Sequence, residues 1–363
     1  MADRYLILED GTSYRGRAFG AASTTTGEIV VNSTMNGYQE IISNQIYHNQ
    51  IIVFTQPSIG NTGLAQNAYE SVLPTAKGVI VREYENLTTD QFKRISLDRY
   101  LKLHKIPGLY DIDTRELVHH LHRFGNMKAS IVDVDDAHAF DQLHATVLTN
   151  QQVSQVATAR PYANPGDGDN VIVVDFGLKS GILRELSKRN CNITVVPADF
   201  SSERILDLDP DGVVLSTGPG NPASLADGVL DMIREVQETV PMFAIGLGHE
   251  LFAMANGATV EKLPIEHHGS NHPIREIITN EIFYSGQEQG YVVDSQSIDH
   301  DNLYITHIDL INGTVQGLRH RDYPAFSVQF SPDGAPGPKD SVDLFDDFIE
   351  IMARRRENNA SRY

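Results

Sequence analysis

The sequence predicts an α/β protein of two domains, and three observations carry that expectation. Strand-like segments dominate the first part, apolar strands alternate with helical segments from Val171 onward, and a polar Pro/Gly-rich stretch separates the two. The expected layout is an N-terminal mixed β/α domain over residues 1–151 and a linker over 152–170. An α/β domain over 171–355, with a largely parallel sheet flanked by helices, and a polar tail over 356–363 complete it. A chain of 363 residues is long enough to give each domain its own core.

In the first part, Tyr5-Leu-Ile-Leu8 followed by Asp10-Gly11 reads as a strand entering a hairpin turn. Further strands are expected at Glu28–Asn32, Gln50–Phe54 and Gly78–Val81. A helix fits Thr114–Phe124, with Asp113 as N-cap, Glu116 three residues on as in a capping box, and Gly125 as its stop. The stretch Arg160-Pro-Tyr-Ala-Asn-Pro-Gly-Asp-Gly-Asp169 is the reason for expecting a linker.

In the second part, Val171–Asp175 is a continuous apolar run of the kind buried on both faces of a sheet. Ile182, Leu183 and Leu186 follow at helical spacing, Ile193–Val196 reads as strand, and a helix is expected around Ile205. Val213–Leu215 is a strand, Leu225–Val240 largely helix, and Met242–Ile245 a strand again. In such a sheet ligands sit beyond the carboxyl ends of the strands, so the turns after Leu215 and Ile245 should face one crevice.

The turn after Ile245 is the most informative feature. Gly246-Leu-Gly248 joins a buried strand to a helix beginning near Glu250, the layout of a nucleophile elbow, which holds one reactive side chain in strained backbone geometry. Here that position carries no side chain. The second crevice loop, Leu215-Ser-Thr-Gly-Pro-Gly-Asn-Pro222, could aim backbone N–H groups at a developing oxyanion, although a Gly-Pro-Gly turn by itself is only a turn.

Bulk properties narrow the field. The chain is 40% hydrophobic and 21% charged, with a formal charge of −19 that argues against nucleic acid as a partner and fits a soluble surface. No apolar run is long enough to span a bilayer. The start, Met-Ala-Asp-Arg-Tyr, lacks the layout of a signal peptide, so a cytoplasmic location is expected. The single cysteine, Cys191, excludes an internal disulfide and a cysteine-based metal site. It precedes the Asn192–Val196 strand at the end away from the crevice, roughly 15 Å from the far end. It is expected to be a buried structural thiol rather than a nucleophile.

Taken in order, several motifs identify a family. They are Leu8-Glu-Asp-Gly-Thr12, Met35-Asn-Gly-Tyr-Gln-Glu40, Ile59-Gly-Asn-Thr-Gly63, Asp111-Ile-Asp-Thr-Arg115 and Asp175-Phe-Gly-Leu-Lys179. Ser216-Thr-Gly-Pro-Gly220, Leu247-Gly-His249, His267-His-Gly-Ser-Asn-His-Pro273 and Phe326-Ser-Val-Gln-Phe330 follow. Over about residues 4–352 the chain resembles the small, glutamine-amidotransferase subunit of carbamoyl-phosphate synthetase. The resemblance implies a small-subunit domain followed by a class I amidotransferase domain. It also implies a large-subunit partner that uses ATP and bicarbonate, with no cofactor bound by this chain and glutamine or ammonia as small-molecule ligand. The carbamoyl phosphate would serve arginine or pyrimidine synthesis.

In that family a cysteine at the elbow attacks the carboxamide, a histidine serves as its base and a glutamate orients the histidine. By the resemblance these positions fall on Gly246, Ser331 and Asp333. Glycine has no atom to attack with, and a serine hydroxyl has no basic lone pair near neutral pH. Loss of a nucleophile alone removes about six decades of turnover in a serine-protease example. Substrate contacts implied by the resemblance are Thr34, Gly218, Gly220, Leu247, Glu250, Glu288, Gly290 and Tyr291. Of these, Glu250 stands for a family Gln, Glu288 for an Asn and Tyr291 for a Phe. Ionised carboxylates accept but do not donate hydrogen bonds and would repel glutamine's own carboxylate. His267, His268 and His272 invite a metal reading, but the family motif carries these histidines without metal. His119, His120 and His122 read as the solvent end of a helix.

The expectation is therefore a synthetase small subunit that has lost glutamine hydrolysis and supports an ammonia-using large subunit. Two alternatives stay open: an active amidotransferase with an unrecognised nucleophile, and a non-enzymatic ligand-binding or regulatory module.

Overall fold

The computed structural model describes residues 3–87, 94–225 and 227–360, and they form two compact units. The first comprises residues up to Thr149 together with Pro264–Gly269, and the second comprises Asn150–Leu263 and the residues from Ser270 onward. No helix of the described residues is long and apolar enough to cross a membrane.

The first unit is built on β1 (Asp3–Leu8), β2 (Ser13–Gly20), β3 (Thr25–Asn32), β4 (Gln50–Phe54), β6 (Gly78–Ile80), β8 (Pro107–Tyr110) and β9 (Lys128–Val132). These close into a barrel in the order β1-β2-β8-β6-β4-β3-β9, which leaves no open edge. Two short strands, β5 (Ser58–Ile59) and β7 (Glu83–Tyr84), pair separately. Gly11 turns the β1–β2 hairpin at φ 93°, a conformation that favours glycine. Helices α1 (Tyr38–Ser43), α2 (Leu97–Leu103), α3 (Thr114–Phe124) and α4 (Ala137–Ala145) accompany the barrel. Helix α3 starts where its cap predicts, with Asp113 accepting from the amides of Arg115 and Glu116, and stops at Gly125. It buries Leu117 and Leu121 against Leu6, Ile29 and Ile131. His119 and His122 face solvent, while His120 lies 2.5 Å from Asp10.

The second unit carries a ten-stranded sheet. Its strands are β10 (Tyr162–Asn164), β11 (Asn170–Asp175), β12 (Asn192–Pro197), β13 (Gly212–Leu215), β14 (Met242–Ile245), β15 (Val260–Glu276), β16 (Ile282–Val293), β17 (Leu303–Asp309), β18 (Val315–His320) and β19 (Ala325–Val328). The order is β10-β12-β11-β13-β14-β19-β18-β17-β15-β16, and the five strands from β12 to β19 run parallel. Their side chains alternate between two cores. Ile172, Val174, Val213, Leu215, Met242 and Ala244 pack with α7 (Ser202–Leu206), α8 (Asp227–Gln237) and α9 (Leu247–Ala255) on one face. Val171, Val173, Ile193, Val195, Val214 and Phe243 pack with α6 (Ser180–Lys188) and α10 (Leu344–Ala360) on the other. Full burial of each such aliphatic or aromatic side chain stabilises the fold by about 1.5–3 kcal/mol.

Two expectations are revised. The stretch 152–170 is not a bare linker: it holds helix α5 (Gln152–Val156) and the edge strand β10, which pairs antiparallel with β12. Residues 356–360 do not form a tail, since α10 runs through Ala360; 361–363 lie outside the described residues. The expected parallel sheet is present in the five central strands, and β18, β17 and β15 extend it in antiparallel fashion.

Candidate functional site

The carboxyl ends of β11, β13, β14 and β19 bring together the residues singled out in the second unit. After β14 the chain turns at Gly246 with φ 59° and ψ −116°, then enters α9 directly. A side chain there would be strained, because positive φ drives Cβ against the backbone. The turn is pinned by its own backbone. Gly246 donates to the Val328 carbonyl at 2.9 Å, Glu250 donates to the Gly246 carbonyl at 3.1 Å, and Gly248 donates to the Ser216 carbonyl at 3.1 Å.

Thr217 stands against the elbow. A Cβ placed on Gly246 would lie 2.5 Å from Thr217 Oγ1 and 3.1 Å from Thr217 Cβ. The glycines of the neighbouring loop have their own steric reason. A Cβ on Gly218 would run into the Phe176 carbonyl, and one on Gly220, at φ 95°, into the Gln152 side chain. Leu247 is buried in the core beneath α9.

Just beyond β19 a charged cluster surrounds Ser331 and Asp333, the residues on which the resemblance places the base and the orienting acid. Register places Val328 beside Ile245, so Ser331 and Asp333, just beyond β19, lie on the elbow's side of the sheet. Ser331 donates its backbone N–H to Gly286 at 2.9 Å. Lys179, at the start of α6, reaches this point from the carboxyl end of β11. Its Nζ donates to Ser331 Oγ at 3.3 Å and to Asp333 Oδ1 at 3.2 Å, and lies 3.6 Å from Glu288 Oε2. Ser331 Oγ in turn donates to Glu288 Oε2 at 3.4 Å. The side chains of Lys179, Glu288 and Asp333 are 2%, 7% and 1% exposed.

Glu250, in the first turn of α9, is buried and accepts from Gln329 Nε2 at 3.0 Å. Gly290 and Tyr291 follow Glu288 along β16 and are half-buried. Thr34 belongs to the first unit, where it is buried and its amide donates to Asn32 Oδ1 at 2.9 Å.

The remaining candidates fall elsewhere. Cys191 is buried at the start of β12 among Val171, Leu186 and Ile193, and burial pushes its thiol up to about 11, away from thiolate chemistry. His268 Nε2 lies 2.8 Å from Glu266, which also accepts from Gln50 Nε2 at 2.8 Å, all within the first unit. His272, in the second unit, pairs with Asp309 at 3.1 Å. His249 is the histidine next to the elbow in sequence. It is fully buried, its Nδ1 is hydrogen-bonded with Ser327 Oγ at 2.8 Å, and burial holds its pKa down at about 3, so the ring is neutral.

Two site residues escaped the reading of the sequence. Lys179 was legible only as the end of a motif, although a lysine in a βα loop at the carboxyl edge of a parallel sheet is a signal for a cation at the crevice. Thr217 lay inside a loop read for its glycines.

Similarity to known proteins identifies the family. Residues 6–131 match the family described as carbamoyl-phosphate synthase small chain, CPSase domain, and residues 172–351 match glutamine amidotransferase class-I. The chain is 51% identical over 350 residues to the carbamoyl phosphate synthase pyrimidine-specific small chain of Lactiplantibacillus plantarum, covering 96% of each. It is 51% identical over 354 residues to the carbamoyl phosphate synthase small chain of Streptococcus pyogenes serotype M3, covering 97% of this chain and 98% of that one. With the small chain of Streptococcus pneumoniae serotype 4 it shares 49% identity over 361 residues, 99% of this chain and 100% of the relative. Two domain families in order and half-identity along nearly the whole length lead to one conclusion: the chain belongs to the carbamoyl-phosphate synthase small-chain family.

Proposed function

We propose that this chain is a carbamoyl phosphate synthase small chain that does not hydrolyse glutamine and instead supports a large chain supplied with free ammonia. The observation that carries the reading is the elbow. Gly246 offers no nucleophile, and a Cβ added there would meet the Thr217 hydroxyl at 2.5 Å, so that Thr217 must shift to admit one. Without a thiolate there is no acyl intermediate to form. Ser331, standing where the family places its base, is tied to Lys179 and Glu288, and neither its hydroxyl nor a buried ammonium can take a thiol's proton near neutral pH.

The chain's remaining value lies in its fold. The barrel of the first unit and the sheet of the second are both fully built, which suits a subunit kept for assembly with a large chain that binds ATP and bicarbonate. The name of the L. plantarum relative favours pyrimidine synthesis as the destination. A strain lacking this chain should then need uracil rather than arginine.

The deciding experiment is a synthetase assay of the purified pair with glutamine or ammonium chloride as nitrogen donor. Carbamoyl phosphate should form with ammonium and not with glutamine, and the large chain should be more active or more stable with the small chain than alone. Glutamate release well above background would establish an active amidotransferase instead. Failure to associate with a large chain would favour a free-standing binding module.

A further inference from the structure

We infer that Glu288, clamped between Lys179 and Ser331, is a specificity-determining residue that closes the crevice to glutamine independently of the missing thiol. This rests on the reading of the chain as non-hydrolytic and adds a second, separable block to it.

The inference is carried by how the base position has been refilled. An absent imidazole would leave a hole, and holes beside buried polar groups are filled by water or by neighbouring side chains. Here a side chain fills it: Glu288 Oε2 stands 3.4 Å from Ser331 Oγ and 3.6 Å from Lys179 Nζ. The cluster brings two carboxylates, Glu288 and Asp333, to the one ammonium of Lys179. Among the described residues, Asp333 Oδ2 is a buried acceptor with no hydrogen-bond partner. Glu250, buried in the first turn of α9, adds another carboxylate on the elbow's side of the sheet.

Such a lining fails glutamine through charge: its α-carboxylate meets like charge in a low-dielectric setting, where repulsion is poorly screened. Restoring the nucleophile and the base alone therefore does not restore the site. The imidazole of a Ser331→His variant would arrive beside Lys179 and Glu288, and the substrate would still be excluded.

The test uses the full-length chain with its large chain. Gly246→Cys/Ser331→His is compared with the same double variant carrying Glu288→Asn and Glu250→Gln in addition. Both should have a thiol that iodoacetamide alkylates. Removing close, buried like charges should raise kcat/KM for glutamate release about 100-fold in the second variant, with most of the gain in KM. Equal activity of the two within threefold, or no gain despite an alkylatable thiol, overturns the proposal. Calorimetry with glutamine on Glu250→Gln/Glu288→Asn, which keeps Gly246, reads the barrier without new catalytic groups. Binding there and not in the unaltered chain supports the proposal, and no binding in either overturns it. Glutamate release by the unaltered pair is a different failure: it would remove the non-hydrolytic reading whatever these variants do.

Discussion

On the proposed reading, the elbow and the Ser331 position depart from the family's reactive groups in opposite ways. At Gly246 the departure is a subtraction: the backbone keeps φ 59°, now on the one residue that adopts it without strain, and no charge is buried. Around Ser331 it is a refilling: Glu288, where the resemblance places an Asn, joins Lys179 of the Asp175–Lys179 motif and the acid Asp333 in a space less than a tenth exposed. The difference teaches how a reactive site can be retired. Subtraction relaxes the fold, and each neighbour can stay as it was. Refilling with charge makes these residues depend on one another, because any one of them alone would be an uncompensated buried ion.

The largest effect should come from breaking that dependence. Lys179→Met leaves Glu288 and Asp333 buried without their cation, and losing one partner of such a cluster destabilises by about 3–5 kcal/mol. Chemical denaturation of the variant should show it. Adding Glu288→Gln and Asp333→Asn should recover most of the loss, since a neutral cluster has no ion left to compensate. If Lys179→Met alone costs under about 1 kcal/mol, the cluster is not interdependent and the comparison fails.

A second way to probe the contrast uses His249, which joins the two regions: it rides on the helix leaving the elbow and bonds Ser327 on the strand leading to Ser331. Burial lowers its pKa to about 3 and that of His307 to about 4. Both rings are neutral when folded, whereas the unfolded chain takes up these protons near pH 6.5. Stability is therefore fully present above pH 6.5, is lost as pH falls, and stops falling once the folded-state values are passed. From His249 alone the loss between pH 6.5 and 5 is about 2 kcal/mol. Denaturant titrations at the two pH values should show it, and His249→Gln should flatten the slope by that amount. An unchanged slope in His249→Gln would mean the ring is protonated in the fold.

How much was legible beforehand follows from the same physics. The strands β11, β13 and β14 were plain because continuous apolar runs have few other uses. Strands β15 and β16 were not, since they carry Pro264, Pro273 and a scatter of His, Glu and Gln with irregular burial, which matches neither period. The linker reading failed because its glycines serve close approach rather than looseness. A Cβ on Gly166 would strike the Cys191 carbonyl, one on Gly168 would lie 2.6 Å from the Asn190 carbonyl, and the prolines flank a short edge strand, where they are tolerated. In the site, Gly246, Ser331, Asp333, Glu250 and Glu288 could be placed because motif order is a one-dimensional property. The partnership of Lys179 with residues more than 100 positions away depends on which strands are neighbours, and that is settled only by the fold.

The smallest effect isolates the elbow. Gly246→Ala adds one methyl group and no charge, so its cost is backbone strain at φ 59° plus the contact with Thr217. Strain of this kind costs on the order of 1–3 kcal/mol. Thr217→Ala removes the Oγ1 that a Cβ would meet at 2.5 Å. In a double-mutant cycle the steric share should vanish in Gly246→Ala/Thr217→Ala, and the backbone share should persist. Two numbers then separate the causes. A coupling energy near zero would mean Thr217 swings aside freely and the space above the elbow is open after all. A cost for Gly246→Ala near zero would mean the turn relaxes out of the elbow geometry. The first result would leave the missing nucleophile as the only block on this side of the crevice, and the second would mean that glycine at position 246 did not preserve the turn by relieving strain.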